Sequence, residues 1–238
     1  MKSGCQDMKA ERASTDYSKL IRRVLVRFLT GAVVMGSVFF VSAGTFSYWH
    51  AWILIAILFI PMFLVLLYLL KNDPTLLERR MKTKEKERPQ KLLVRFSTLA
   101  TVVAYVIPGL DYRFRWSSVS VTLVIIADIV IFLAYVLFFL VLRENSYAAR
   151  IVEVEKGQKV ISTGPYTFVR HPMYVAVLVL FLFSPIALGS FWAMIAMVPI
   201  PPVLILRIRS EERLLMRELS GYREYTQRVR YRLLPMVW

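Results

Sequence analysis

An all-α, polytopic membrane protein of about six transmembrane helices is the fold the sequence predicts, and three observations carry that expectation. Of the 238 residues, 57% are hydrophobic and 20% charged, with a mean hydropathy of +0.54. Soluble domains average about 45 to 50% apolar and about 25% charged, so the apolar excess belongs in lipid. The apolar residues are gathered into runs at about 24–41, 52–70, 92–107, 119–142, 173–188 and 191–206. The runs at 24–41, 52–70 and 119–142 have the length of a bilayer crossing, while the three 16-residue runs leave open a short span or a buried or re-entrant helix. Finally, the positive charge alternates along the chain with the runs.

That alternation sets the expected topology. Residues 1–23, 71–91, 143–172 and 207–238 hold 27 of the 31 Lys and Arg, and the intervening loops 42–51, 109–118 and 189–190 hold two. Cytoplasmic segments retain Lys and Arg, so both termini are expected in the cytoplasm. Arg27 and Arg95 lie about one turn inside their helix ends, from which they can snorkel. Tyr48, Trp49, Trp52, Tyr112, Trp116 and Trp192 fall at the opposite ends, as an interfacial belt requires. The formal charge of +15 is thus mostly an orientation signal. The basic segment 71–91 suits topology and anionic lipid headgroups better than catalysis, and cations interleaved with spans do not form a nucleic-acid footprint.

Local signals refine the elements in order. The polar stretch 1–23 lacks the short apolar core of a cleavable signal peptide. Pro61 should kink the second helix, and Pro199, Pro201 and Pro202 the sixth. Asp128, near the middle of the fourth run, is expected at the depth of Tyr105 or Thr101. There it makes an interhelical hydrogen bond or a polar contact in a substrate cavity. Gly189-Ser190 reads as a tight turn between the fifth and sixth helices. Residues 151–154 and 159–162 alternate around Lys156-Gly157-Gln158, which predicts a short β-hairpin. One cysteine, Cys5, and two histidines exclude a disulfide framework and make a metal centre improbable, so no metal ligand is assigned.

Chemistry concentrates in the last hundred residues, dividing the chain into helices 1–4 with the basic loop (1–142) and a C-terminal region (143–238). Gly164-Pro165 and His171-Pro172 enforce bends, and Pro172 suits a first helical position. The helix start so formed carries Arg170, His171 and Tyr174, with backbone N–H groups able to hold a carboxylate. Arg207 and Glu211, four apart on one helix face, return to the same level through the tight turn. Beyond Glu212, Leu214, Leu215 and Leu219 continue a helix to about Gly221. Arg and Tyr residues then alternate in a tail expected to lie on the membrane surface, as a cover for the pocket or as a basic interfacial segment alone.

The run Gly164-Pro-Tyr-x-x-Val-Arg-His-Pro-x-Tyr174, a helical hairpin, Arg207-x-x-x-Glu-Glu212, then Gly221-Tyr-x-x-Tyr225 before Pro235 resembles the isoprenylcysteine carboxyl methyltransferase and phospholipid methyltransferase family. The resemblance covers roughly 143–238. It implies S-adenosyl-L-methionine taken up at a cytoplasmic pocket and a lipophilic acceptor entering from the bilayer. Carried over residue by residue, it places cofactor contacts at Gln158, Lys159, Val160, Ile161, Tyr166, His171, Pro172, Met173, Tyr174 and Glu211, and Arg207 at the acceptor. Arg207 and Glu211 are thereby the expected catalytic pair. Met173 stands where some members have a small residue and is expected to contribute backbone, and the stretch between Asn145 and Gly157 aligns poorly.

Methyl transfer from a sulfonium is an in-line displacement that depends mainly on positioning. An Arg suits a carboxylate acceptor, which needs no general base; an amine acceptor would need one, with Glu211 or Glu212 as candidates. Membrane sterol or enone reductases that use NADPH share the His-Pro-x-Tyr motif, but they typically follow it with Gly and an acidic residue, whereas Val-Ala-Val follows Tyr174 here. A small transporter or membrane scaffold is a further alternative, although no inverted repeat is visible.

Overall fold

A computed structural model of the chain describes residues 2–81, 88–149, 151 and 153–238, with backbone alone for 2–16, 88–94, 96 and 97. The described residues form helices α1 (Lys2–Ala43), α2 (Trp49–Asn72), α3 (Pro74–Met81), α4 (Arg88–Phe114), α5 (Val121–Glu144), α6 (Pro172–Ala187), α7 (Trp192–Met197), α8 (Ile200–Glu218) and α9 (Tyr222–Arg228), with a 3-10 turn at Gly164–Thr167. Among the described residues, four helical stretches are long and apolar enough to cross a membrane: Tyr17–Ala43, α2, α5 and the Trp192–Glu218 stretch made of α7 and α8. The fifth predicted run is the 16-residue apolar helix α6, and the third lies within the 27-residue α4.

α5 shows why the apolar runs form a bundle. Val124, Ala127, Ile131, Ala134 and Tyr135 recur at helical spacing and are buried, while Ile125, Ile129, Phe132 and Leu133 face outward. Aliphatic side chains on the outer face of every long helix are what a lipid environment accepts. Asp128 faces inward at 8% exposure, but its Oδ1 meets no hydrogen-bond partner among the described residues. The carboxyl also stands outside the cavity of the functional site, so neither sequence-based expectation is met by that oxygen.

At the end of the bundle away from the basic segments, a polar clamp fixes the turn between α6 and α7. Asp111 is 1% exposed and accepts the Ser117 amide at 2.7 Å, the Ser117 hydroxyl, and the Ser190 hydroxyl at 2.5 Å. Tyr48 donates its hydroxyl to the Leu188 carbonyl at 2.5 Å. Gly189 takes φ +73°, and a Cβ there would lie 2.9 Å from His50 Nε2, so the predicted tight turn is present and needs glycine. The prolines separate α7 from α8 at Val198-Pro199, with Pro199 as the α8 N-cap. This fixed turn sends α8 back alongside α6.

At the basic end the structure departs from expectation. Part of the basic loop folds as α3, capped by Asp73, whose Oδ1 accepts the Leu76 amide at 2.9 Å. Arg27 does reach the polar edge, donating to the Met81 carbonyl at the α3 C-terminus at 2.6 Å. Lys82, Lys84 and Lys86 lie outside the described residues.

The predicted β-hairpin is not formed: no strand occurs among the described residues of 151–162. The turn itself exists, with Gly157 at φ +78° and the Gln158 amide donating to the Glu155 carbonyl at 3.0 Å. The Gln158 side-chain oxygen accepts the Glu155 amide, and Val154 and Val160 pack on Leu219, Tyr222 and Tyr225. Packing against another element therefore replaces a two-stranded ladder, which is marginal in isolation.

Close helix contact supplies a stability test. A Cβ at Gly109 of α4 would lie 1.8 Å from Ser42 Oγ and 2.9 Å from the Ala43 amide nitrogen in α1. Gly109→Ala should destabilise the bundle by about 1 to 3 kcal/mol, seen as a lower thermal midpoint in detergent.

Candidate functional site

The two predicted segments do converge. Tyr174, one turn into α6, donates its hydroxyl to Glu211 Oε2 at 2.6 Å and accepts Arg207 Nε–H at 3.0 Å. Arg207 and Glu211 thus stand on one face of α8, as their spacing requires, and meet at the α6 phenol. All the residues assigned by resemblance line a single cavity: Gln158, Lys159, Val160, Ile161, Tyr166, His171, Pro172, Met173, Tyr174, Arg207 and Glu211. Its empty space, counted with its open mouth, is about 870 Å³.

Each wall has a local cause. Pro172 is the first residue of α6 with His171 as N-cap, as predicted. The expected anion site at this helix start is largely closed, however. The Arg170 and His171 amides donate to the Tyr231 and Arg232 carbonyls at 2.9 Å each, and Pro172 has no N–H. The C-terminal tail takes those donors. Gln158 lines the cavity while its carbonyl oxygen is engaged by the Glu155 amide. Met173 contributes more than backbone, because its sulfur accepts an Arg80 N–H at 3.7 Å.

Glu212 has a different role from that expected of a candidate base. It is 3% exposed and outside the cavity lining. Its Oε1 pairs with Arg170 Nε at 3.0 Å and His171 Nε2 at 3.3 Å, and its Oε2 with Arg232 Nε at 2.7 Å. About 100° of helical rotation separates it from Glu211, so one carboxylate faces the cavity and its neighbour faces the framework. His171 lies between them, with Nδ1 4.0 Å from Glu211 Oε1.

Two further contributions escaped the sequence reading, the stretch between Asn145 and Gly157 and helix α3. The poorly aligned stretch supplies Asn145, Tyr147, Ala148, Ala149, Ile151 and Glu153 to the lining. Arg79 and Arg80 of α3 hold that stretch, donating to the Ser146 and Ala148 carbonyls at 2.6 and 2.8 Å; Arg79 also pairs with Glu155 at 2.7 Å. α9 forms the cover through Tyr222 and Tyr225, the latter donating to the Tyr166 carbonyl at 2.8 Å. Burial pushes the Tyr166 phenol up to about 12 even though Asn145 Nδ2 donates to its oxygen at 2.7 Å. Tyr166 is therefore a neutral hydroxyl at physiological pH.

The donor set fits a sulfonium nucleoside. Glu211 presents a carboxylate to cationic groups, the phenols offer neutral hydrogen bonds, and Val160, Ile161, Leu214 and Leu215 offer apolar surface to a purine.

Removing Glu212 would leave Arg170 and His171, 7% and 5% exposed, without their anionic partner. Glu212→Ala should cost about 3 to 5 kcal/mol, measured by chemical or thermal unfolding in detergent. The Glu212→Ala, Arg170→Met double variant should lose less than the sum of the single losses.

No curated protein matches the chain. The model of the Isoprenylcysteine carboxyl methyltransferase (ICMT) family matches residues 123–217, which run from α5 through the cavity walls to the end of α8. The order of motifs, their convergence on one cavity and this match agree: over residues 123–217 the chain is similar to the isoprenylcysteine carboxyl methyltransferase family.

Proposed function

We propose that this integral membrane protein is an S-adenosyl-L-methionine-dependent methyltransferase, and that it O-methylates the carboxylate of an isoprenylcysteine-like acceptor at the cytoplasmic face. The observation that carries the reading is the Arg207–Tyr174–Glu211 contact inside a cavity lined by the family's motif residues. The family match supports methyl transfer as the reaction. When bound, the cofactor supplies an electrophilic methyl on a sulfonium.

The chain's own task is to orient two reactants and exclude water. Glu211 is oriented by the Tyr174 hydroxyl and holds the cationic part of the cofactor. Gln158 to Ile161, Tyr166 and His171 to Tyr174 line the remainder of its site. Arg207 steers the acceptor carboxylate, with its charge directed by the hydrogen bond to Tyr174. A carboxylate ionised at neutral pH attacks without a general base, which agrees with Glu212 being committed to Arg170, His171 and Arg232. The acceptor's hydrocarbon part comes from the bilayer, and the basic segments face anionic headgroups.

Calorimetry in detergent separates this reading from a reductase: S-adenosylhomocysteine should bind and NADPH should not, and binding of NADPH alone would reject it. Glu211→Ala should weaken S-adenosylhomocysteine about ten- to a hundredfold, the scale of a lost charge-assisted contact. Arg207→Ala should leave that affinity within about twofold but lower turnover of a prenylcysteine acceptor at least about tenfold, read from initial rates.

A further inference from the structure

The cavity wall contains one hydroxyl that its surroundings do not account for. Tyr222 opens α9, is 4% exposed and lines the cavity, yet its buried Oη has no hydrogen-bond partner among the described residues. The neighbouring phenols are engaged. Tyr225 donates to the Tyr166 carbonyl, Tyr166 accepts from Asn145, and Tyr174 donates to Glu211. Buried hydroxyls in native proteins are nearly always satisfied, and an orphan in a cavity wall points to a ligand that completes it.

Packing alone does not require the hydroxyl. Gly221, at φ +82°, turns the chain so that α9 folds back, and the Tyr222 amide donates to the Leu219 carbonyl at 3.2 Å. The ring pairs with Tyr225 in an apolar cluster with Leu219, against which Val154, Val160 and Leu215 pack, and a phenylalanine ring would fill the same place. The charges acting on the phenol are the carboxylates of Glu212 and Glu211 against the Arg170 guanidinium. Burial, followed by those carboxylates, raises its ionisation well above the ordinary tyrosine range, so it remains a neutral hydroxyl. Its oxygen accepts best from a cationic N–H, which the carboxylates beside it also favour.

We propose that Tyr222 Oη is a direct cofactor contact, accepting a hydrogen bond from the ammonium at the amino-acid end of the sulfonium nucleoside. The inference rests on the methyltransferase reading and adds to it a contact from the C-terminal cover.

The test is Tyr222→Phe, which keeps the ring and deletes only the oxygen. Titration with S-adenosylhomocysteine should show about five- to twentyfold weaker binding than the unaltered protein. Binding of 5′-methylthioadenosine, which lacks the amino-acid end, should be unchanged, and the ligand-free thermal midpoint should not fall. Unchanged S-adenosylhomocysteine affinity, an equal loss for 5′-methylthioadenosine, or a lower ligand-free midpoint would each overturn the contact. Failure of the unaltered protein to bind S-adenosylhomocysteine would overturn the methyltransferase reading and this inference together. Normal binding there with no effect of Tyr222→Phe would remove this inference alone.

Discussion

The buried carboxylate of Glu212 is the constraint on which the basic end of the molecule depends. It joins three segments that are distant in sequence: α8, the Arg170-His171 bend that starts α6, and Arg232 of the C-terminal tail. The buried Arg170 guanidinium would be costly at its depth without an anion, and the buried Glu212 carboxylate would be costly without its partners. Their combination fixes the angle at which α8 passes α6. It also places the preceding residue, Glu211, toward the cavity, so two adjacent carboxylates divide between framework and cavity wall. The tail strengthens the same joint when its carbonyls take the Arg170 and His171 amides.

The opposite end of the bundle makes that joint possible. Asp111, Tyr48 and the positive-φ Gly189 hold the turn after α6, so α8 returns in register with it. Between the two polar ends, the helices meet through aliphatic, small and aromatic side chains and present apolar surface outward. The result is a polar cavity at the edge of an apolar bundle. Such a boundary suits the proposed pairing of a water-soluble nucleoside with a lipophilic acceptor, because neither environment alone dissolves both. Limited water access at this edge strengthens the Arg207, Tyr174 and Glu211 contacts relative to the same groups in solution.

Much of this was legible in the residues, for identifiable reasons. Runs of apolar side chains must be helical in lipid, so α1, α2 and α5 follow from composition. Pro172 and Gly189 restrict the backbone by their own geometry, and the start of α6 and the turn after it follow. The four-residue spacing of Arg207 and Glu211 puts both on one helix face, and the turn brings that face to Tyr174. The β-hairpin was misread because alternation cannot distinguish pairing between neighbours from packing of Val154 and Val160 on α9. The anion site at the α6 N-terminus was misread because no local pattern shows that a tail some sixty residues later supplies carbonyls to those amides. Glu212 and Arg79 were similarly hidden, since their partners are remote and charge in a basic, membrane-flanking segment has a general explanation of its own. Tyr222 was visible within Gly-Tyr-x-x-Tyr, but only its unpartnered oxygen distinguishes it from a packing aromatic.

The central claim is the transfer of a methyl group to a carboxylate at this cavity. The most direct measurement incubates membranes containing the protein with methyl-labelled S-adenosylmethionine and a prenylcysteine acceptor, then treats the extracted product with base. A methyl ester hydrolyses to volatile labelled methanol, whereas an N-methylated amine retains its label. The account predicts volatile label that depends on the protein and the acceptor. Label retained after base would contradict the carboxyl chemistry, and no protein-dependent incorporation under conditions where the cofactor binds would contradict methyl transfer to this acceptor.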